Sequence, residues 1–290
     1  MLKNPSETFD ILSKNLANAV KEAGHEKVLI GLSGGADSAL VAAIAVNALG
    51  KENVKCVFLP SDNSSPQSEN LSNLFAVHVL STEFQVYSVD LPHRAIQHSL
   101  MHGFSKDDIA GTVDENIQAR VRGILLMGIA NIEHRLVLAT GNKSEALMGY
   151  CTMYGDTVGF CEVIGNLFKT ECYQILEYLH TVNPSNTLRN IIDREPSAEL
   201  SPNQKDTDTL PPYDVLDPIL KVAEILLEWD RFSDSAPPVS VLQLWNIADH
   251  QVEEVSRISK ASEGLVRSIL KAVIHNRWKL LQCPPALSIR

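Results

Sequence analysis

Residues 28–38 read VLIGLSGGADS, an apolar run that leads directly into a turn rich in glycine and serine. The run at 28–32 is long enough for a buried strand, and the apolar segment at 38–49 predicts a helix. The two glycines allow main-chain N–H groups to approach an anion closely, and the following helix offers its free N–H groups and positive dipole end. This arrangement predicts a phosphate-binding loop over residues 33–38. Because no lysine follows the glycines, the loop is not a Walker A motif.

An aspartate lies inside this predicted phosphate loop. Asp37 cannot bind a phosphate directly, because like charges repel, so its presence indicates a cation between the two groups. Mg²⁺ is the cation that carboxylates and phosphates usually share. Ser33 and Ser38 add hydroxyl donors. The loop therefore predicts a site for a magnesium-bound phosphate.

Helical and strand patterns alternate through the first half of the chain. Helical periodicity is found at 6–23, 38–49, 71–80 and 115–132. Short apolar runs that predict strands are found at 28–32, 54–59, 84–89 and 136–139. The alternation predicts an α/β fold with a doubly wound, Rossmann-like parallel sheet, right-handed crossovers and helices on both faces. Since ligands bind beyond the carboxyl ends of parallel strands, loops 33–38, 60–66 and 140–145 are expected to face one crevice.

The second half of the chain predicts helices and one long loop. Residues 172–179 have the apolar spacing of an amphipathic helix. Residues 194–212 are rich in Asp, Pro, Ser and Thr and are expected to form a long, mobile loop.

Additional helices are expected after this loop. Asp217-Pro218 has the residue types of a helix start. Helical patterns follow near 250–258 and 262–276. We therefore expect a single domain over residues 1–290, with extra C-terminal helices at 214–279.

The composition is that of an ordinary globular protein. The chain has 290 residues, with 25 Lys and Arg against 35 Asp and Glu, a formal net charge of −10. This acidic balance argues against a nucleic acid as the main ligand, because such binding needs clustered basic residues. The sequence has no run long enough to span a membrane, no apolar signal-peptide core and no Cys-x-x-Cys pair among its five cysteines. We therefore expect a reduced, cytoplasmic protein.

Residues 33–38, Ser-Gly-Gly-Ala-Asp-Ser, resemble the pyrophosphate-binding loop of the ATP pyrophosphatase, or PP-loop, superfamily. Members of this superfamily cleave ATP to AMP and pyrophosphate and activate a carbonyl oxygen as an adenylate. Further segments are similar to those of NAD synthetases and occur in family order. They are residues 115–122, 140–145, 154–156, 167–171 and 196–213. The resemblance runs from about residue 8 to 285 and implies an adenine nucleotide alpha-hydrolase-like fold.

The resemblance also implies roles for individual residues. ATP contacts are implied for Gly31, Leu32, Ser33, Gly34, Gly35, Ala36, Asp37, Ser38, Thr140, Lys169 and Ser197. Contacts to the dinucleotide substrate are implied for Arg120, Tyr154, Asp156, Trp278 and Lys279. Asp37 and Glu145 are implied as Mg²⁺ ligands. Lys169 would offset the charge on the leaving pyrophosphate, and Asp156 would accept a proton as ammonium becomes ammonia.

The same side chains also have simpler interpretations from the sequence alone. Glu145 has the character of a solvated charge at the start of a helix, and Lys169 that of a surface charge. Ser197 is consistent with an ordinary polar loop residue, and Asp156 with a turn residue.

Two arginines in segment 115–122 leave a further choice open. Arg120 and Arg122 are two positions apart on a predicted helix and therefore point in different directions. One of them can pair with a group of the fold while the other reaches a ligand. The resemblance assigns the ligand contact to Arg120.

The activity that the resemblance implies is that of an ammonia-dependent NAD synthetase, a carbon–nitrogen ligase. ATP activates deamido-NAD (nicotinate adenine dinucleotide) as an NAD-adenylate, and ammonia then displaces AMP to give NAD, with Mg²⁺ as cofactor. Because the phosphate loop begins at Ser33, we expect no amidotransferase domain before it. Nitrogen is therefore expected from free ammonia or from a separate glutaminase. Family members are homodimers, so a homodimer is expected as well.

Five positions depart from the family pattern. They are Asp62, Met153, Phe160, Leu280 and Leu281, where many members have Arg, Lys, Asp and two Arg. These departures keep a catalytically weak dinucleotide-binding homologue as one alternative. The shared loop keeps another PP-loop enzyme, of the tRNA-thiolating type, as a second, although such enzymes usually need paired cysteines and a basic face. A third alternative, DNA binding by the locally basic segment 257–279, is disfavoured by the overall acidity.

Overall fold

The computed structural model describes residues 2–226 and 249–289, and a parallel sheet of five strands forms its centre. The strands are β1 (Val28–Gly31), β2 (Val54–Phe58), β3 (Glu83–Val86), β4 (Leu136–Ala139) and β5 (Cys161–Glu162). Their order is β3-β2-β1-β4-β5, and every neighbouring pair is parallel. The strand order reverses between β1 and β4, which is where such sheets form a ligand crevice. The predicted doubly wound α/β fold is therefore confirmed.

Helices cover both faces of this sheet. They are α1 (Pro5–Glu22), α2 (Ala36–Leu49), α3 (Pro66–Asn73), α4 (Asp90–Leu100), α5 (Thr112–Glu133), α6 (Lys143–Met148), α7 (Lys169–Val182) and α8 (Asn186–Asp193). Alternate strand residues supply two separate cores: Ile30 and Leu138 pack in the core that contains α1, α2 and α7. Leu29 and Val137 pack in the core that contains α5. Burial on both faces explains why β1 and β4 read as continuous apolar runs.

The C-terminal helices form a third core beside the sheet. They are α9 (Tyr213–Leu226), α10 (Asp249–Ser259) and α11 (Glu263–Leu280), and they bear out the helices expected near 250–258 and 262–276. Leu147 of α6 and Phe168, which precedes α7, belong to the same core. The C-terminal helices therefore pack against the start of two helices that follow β4 and β5. No helix within the described residues is long and apolar enough to cross a membrane.

The helix start expected at Asp217-Pro218 is wrong. The helix begins at Tyr213 and Pro218 lies inside it. The Asp217 carboxylate does accept a hydrogen bond from a helix N–H group, but that group is Thr170 N of α7. Asp217 therefore binds the first turn of α7 through a tertiary hydrogen bond and does not cap its own helix.

Candidate functional site

A cavity of about 490 Å³ lies at the carboxyl edge of the sheet. The strand ends Leu32, Phe58 and Ala139 contribute to its wall. Most of loop 33–38, Ser64 of loop 60–66, and Thr140, Gly141 and Glu145 of loop 140–145 complete this side. The expectation that these three loops face one crevice is confirmed.

The loop 33–38 curls at the start of α2. Ser33 N donates to Ser38 Oγ (3.1 Å), Ser38 Oγ donates to Gly35 O (3.2 Å), and Gly35 N donates to Ser33 Oγ (3.3 Å). Gly34 has φ +80°, and a Cβ atom at this position would lie 2.7 Å from Ser68 O. A side chain is therefore excluded at Gly34 both by conformation and by space. Gly34 turns away from the cavity, while Ser33, Gly35 and Asp37 line it.

Three helix N-termini bring their ionisable side chains together in this cavity. Asp37 is the second residue of α2, Glu145 the third of α6 and Lys169 the first of α7. The Lys169 ammonium contacts Asp37 Oδ2 and lies 3.1 Å from Glu145 Oε1. The side chains of Asp37 and Glu145 are each 17% exposed and that of Lys169 is 5% exposed. The interpretations of Glu145 as a solvated charge and of Lys169 as a surface charge are therefore wrong.

The charge balance of this cluster fits a divalent cation. Asp37 Oδ1 is buried and has no hydrogen-bond partner. Burial, together with the charges of Asp37 and Asp206, raises the pKa of Glu145 to about 8 despite the opposing charge of Lys169. Burial disfavours the charged form of Lys169, but the two carboxylates outweigh this effect and hold its pKa well above the usual value. Mg²⁺ held by Asp37 and Glu145 would favour the ionised form of Glu145 and would give the unpartnered oxygen of Asp37 a ligand.

The loop at 194–212 lies over the cavity and is tied to the sheet domain by hydrogen bonds. Glu199 accepts from Ser68 Oγ (2.6 Å) and pairs with Arg194 (2.5 Å). Ser197 lines the cavity, but its hydroxyl donates to Gln204 O and accepts from Glu199 N (3.1 Å). An ATP contact by Ser197 would therefore compete with bonds within the loop.

Two of the implied substrate residues also line the cavity. Asp156 accepts a hydrogen bond from Thr152 N (2.6 Å). Lys279 donates to Gly149 O (2.7 Å) and Cys151 O (2.9 Å). Asp156 is exposed to the open cavity, and partial desolvation by the surrounding wall raises its pKa to about 6, against the hydrogen bond from Thr152.

The other three implied substrate residues lie outside the cavity wall. Arg120 donates to Met153 O (3.2 Å), Tyr154 is 70% exposed, and Trp278 is 50% exposed. The second arginine of the pair, Arg122, does line the cavity and donates to Leu59 O (2.9 Å). Burial lowers the pKa of Arg122 to about 10. Within one chain, the arginine that reaches the cavity is therefore Arg122 and not Arg120.

Sequence reasoning gave no role to several polar residues of the wall, notably Glu115 and Asp206. Ser201 Oγ donates to Glu115, which ties the 194–212 loop to α5. Asp206 is 4% exposed and accepts from Tyr213 Oη (2.8 Å) and Tyr150 Oη (3.3 Å). Asp206 stands in segment 196–213, so the segment match was the signal that pointed to it.

The five departures from the family pattern do not line the cavity. Met153 is buried, Phe160 packs against the sheet core, and Asp62 pairs with Arg94 (2.7 Å) at the surface. Leu280 packs against the C-terminal core, and Leu281 is exposed. The residues present at these five positions therefore contribute nothing to the cavity wall of a single chain.

Fold and site together place the chain among doubly wound α/β proteins that have a Ser-Gly-Gly-x-Asp-Ser loop at the carboxyl edge of the sheet. The chain belongs to the NAD synthase family, whose family model matches residues 8–263. It is 42% identical over 224 residues to a glutamine-dependent NAD(+) synthetase of Aquifex aeolicus, a match that covers 75% of this chain and 38% of the relative. A protein of the same name from Xylella fastidiosa is 34% identical over 269 residues, which cover 91% of this chain and 44% of the relative. The chain thus spans about two fifths of the length of these curated relatives.

Solved structures agree with this assignment. An NMN synthetase from Francisella tularensis is 31% identical, with a TM-score of 0.67, over 75% of this chain and 86% of that chain. An NH3-dependent NAD synthetase from Campylobacter jejuni has a TM-score of 0.68 over 99% of this chain and 100% of that chain. Its identity is 23%, so this second likeness concerns the fold alone.

Proposed function

We propose that the chain, as a single domain, catalyses the ATP-dependent amidation of deamido-NAD with ammonia, giving NAD, AMP and pyrophosphate. The observation that carries this proposal is the cluster of Asp37, Glu145 and Lys169 at three helix N-termini beside the loop 33–38. Such a cluster suits a magnesium-bound triphosphate, because helix N-termini and an ammonium attract phosphate while the two carboxylates hold the metal.

The first step forms an adenylate. A nicotinate carboxylate oxygen bonds to the α-phosphorus of ATP, and the bond from that phosphorus to the bridging oxygen of the β-phosphate breaks. Pyrophosphate then occupies the loop 33–38, where main-chain N–H groups and the Lys169 ammonium offset its charge. Mg²⁺ at Asp37 and Glu145 would supply charge neutralisation of the triphosphate. The remaining contribution of the protein is to hold the two reactants in line.

The second step forms the amide. Ammonia bonds to the activated acyl carbon, and the bond between that carbon and the phosphate oxygen breaks to release AMP. Asp156 lies in the cavity wall with a pKa of about 6, so at neutral pH it is ionised and accepts a proton from ammonium or from the attacking nitrogen.

This role of Asp156 predicts a distinctive pH profile. If Asp156 deprotonates ammonium, kcat/KM for total ammonium should rise up to pH about 6 and stay level between about pH 7 and 8. If the enzyme instead takes up free ammonia from solution, the same parameter should rise about tenfold per pH unit through this range, because the free fraction grows at that rate. Asp156→Asn, which keeps an oxygen for Thr152 N–H, should convert the first profile into the second. A tenfold rise per unit in the unmodified protein would remove Asp156 as the base.

The nitrogen source needs its own test, since the curated relatives are named glutamine-dependent and are longer than this chain. We propose that the cavity receives ammonia, either free or from a separate glutaminase, in the cytoplasm. All five cysteines are free thiols, which agrees with a reducing compartment.

The substrate that accepts the nitrogen is a second open point, because the Francisella tularensis relative is named NMN synthetase. An amidation of the nicotinate mononucleotide is therefore the second candidate function.

One assay distinguishes these cases. The protein is supplied with MgATP and either deamido-NAD or the nicotinate mononucleotide, each with ammonium chloride or with glutamine. Equal amounts of NAD, AMP and pyrophosphate from deamido-NAD and ammonium, with none from glutamine, are the expected result. NMN formation at a higher kcat/KM would favour the second candidate. No amide product from protein that binds MgATP would refute both.

Exposed apolar side chains on α5 support the expected homodimer. Ile124 is 64% exposed and Met127 is 41% exposed, and they follow Arg120 at helical spacing on one face. Gly123 packs against the backbone of Tyr154, which brings the exposed Tyr154 ring to the same surface. A second copy on this surface would cover the apolar side chains and would also approach Arg120 and Tyr154.

A charge placed in this surface should therefore separate the subunits. Ile124→Glu is expected to convert a dimer into a monomer in light-scattering chromatography, because an unpaired carboxylate is expensive to bury. Val182→Glu is the matched control: Val182 is also 64% exposed, but it lies on α7, on the opposite face of the sheet. A monomeric unmodified protein, or equal loss of the dimer in both variants, would contradict this interface.

A further inference from the structure

One face of α9 carries alternating charges. Asp217, Lys221 and Glu224 are spaced i, i+4 and i+7, so they lie along one side of the helix. We call these three side chains the α9 charged face. Each of them contacts the first turn of α6 or α7, the two helices that carry Glu145 and Lys169.

Asp217 makes the most buried of these contacts and is 1% exposed. Its Oδ1 accepts from Ser144 Oγ (2.6 Å), and its Oδ2 accepts from Thr170 N (2.8 Å). The Ser144 hydroxyl in turn accepts from Lys169 N (2.9 Å). One carboxylate therefore fixes the residue before Glu145, the residue after Lys169 and, through Ser144, the backbone of Lys169 itself.

Lys221 and Glu224 hold the flanking residues. Lys221 pairs with Glu171 (2.7 Å), whose second oxygen accepts from Phe168 N (3.0 Å) at the start of α7. Glu224 pairs with Lys143, the first residue of α6. Both ammonium groups lie over the Phe168 ring, at 5.0 Å for Lys221 and 5.1 Å for Lys143. The α9 charged face thus ties the starts of α6 and α7 to each other.

We propose that the α9 charged face is a positioning element for the nucleotide site, with Asp217 as the positioning residue that sets Glu145 and Lys169. Asp217 is not part of the cavity wall, so it acts only through Ser144 and Thr170. Hydrogen-bond partners behind the binding groups of a metal or phosphate site typically change affinity about 10- to 100-fold when they are removed. The C-terminal helices would in this way contribute to the nucleotide site without touching the nucleotide.

This inference rests on the proposed function in one respect, namely that Glu145 and Lys169 bind MgATP. If Asp217 only stabilised the fold, its effect on MgATP affinity would follow from the general loss of stability. Another variant on α9 that lowers Tm as much would then weaken MgATP binding as much. Leu216 provides the comparison, since it is the neighbouring residue on α9 and is fully buried in the C-terminal core.

The test is titration calorimetry of the full chain with MgATP in the absence of a nicotinate substrate, together with Tm. Asp217→Asn, which removes one acceptor, should weaken MgATP binding about tenfold or more. Leu216→Ala should lower Tm by as much or more and change MgATP affinity less than about twofold. Ser144→Ala, which removes only the hydroxyl between Asp217 and Lys169, should weaken binding in the same direction and serves if Asp217→Asn does not fold.

Several outcomes would overturn the proposal. The first is an unchanged MgATP affinity in Asp217→Asn or, if that variant does not fold, in Ser144→Ala. The second is a loss of MgATP affinity in Leu216→Ala as large as the loss in Asp217→Asn. Unmodified protein that does not bind MgATP would overturn it together with its premise. Unmodified protein that binds MgATP but forms no amide product would refute the proposed function and leave the positioning role supported or refuted by the variants alone.

Discussion

Replacement of Asp37 by asparagine is expected to lower kcat with MgATP roughly a hundredfold or more while the fold stays intact. One carboxylate oxygen of Asp37 contacts the Lys169 ammonium, and the other is buried without a partner. An amide keeps the size of the side chain but removes the charge that a divalent cation needs. The loss should therefore appear in turnover and in the Mg²⁺ concentration that gives half-maximal rate.

The measurement is the initial rate of pyrophosphate release against Mg²⁺ concentration at saturating ATP. Asp10→Asn is the matched control, because Asp10 is an exposed aspartate of α1, remote from the cavity. Asp37→Asn removes one of the two carboxylates paired with the buried Lys169 ammonium, so its Tm should fall, and turnover is compared at a temperature at which the variant is fully folded. Undiminished turnover in Asp37→Asn would remove this residue from the metal site.

Replacement of Lys169 by methionine is the second change with a large expected effect. We expect kcat to fall roughly a hundredfold to a thousandfold, because the ammonium that offsets the charge of the leaving pyrophosphate is lost. The variant also leaves the carboxylates of Asp37 and Glu145 without the cation between them. Its Tm without nucleotide should therefore fall, and added MgCl₂ should restore part of that loss.

Lys55 offers a control of the same kind at the other end of the sheet. It is 1% exposed, contacts Glu133 and lies 2.9 Å from Glu83, near the start of β2. Lys55→Met should lower Tm, because it leaves Glu133 and the half-exposed Glu83 without their shared ammonium partner. The kcat of its folded fraction should stay within a few-fold of the unmodified protein. Equal kcat losses in Lys55→Met and Lys169→Met would mean that stability, and not chemistry, explains the effect.

Much of the fold could be predicted because the central strands β1, β2 and β4 are largely buried on both faces. β4 has the predicted bounds at 136–139, and β1 and β2 are one residue shorter than predicted. α4 was not predicted, and none of its residues is fully buried. β5 has only two residues, Cys161 and Glu162, which is too few for any periodic signal.

Part of the site could be predicted from the parallel sheet alone. The carboxyl ends of β1 and β4 are adjacent, so Asp37 and Glu145, which follow these strands, had to lie near one another. The burial of Lys169 could not be predicted, because it depends on how α7 packs against α6 and α9. The choice between Arg120 and Arg122 depends on the rotation of α5 relative to the cavity, which the sequence does not specify. The segment resemblance supplied the substrate and the reaction.

Isotope exchange between pyrophosphate and ATP tests the central claim most directly. The protein is incubated with MgATP, deamido-NAD and radioactive pyrophosphate in the absence of ammonium and glutamine. Reversible formation of an adenylate predicts that radioactivity enters ATP only when deamido-NAD and Mg²⁺ are both present, and that Asp37→Asn and Lys169→Met lose this exchange. Exchange that does not require deamido-NAD, or amide formation accompanied by ADP and phosphate, would contradict cleavage of ATP between its α- and β-phosphates at this site.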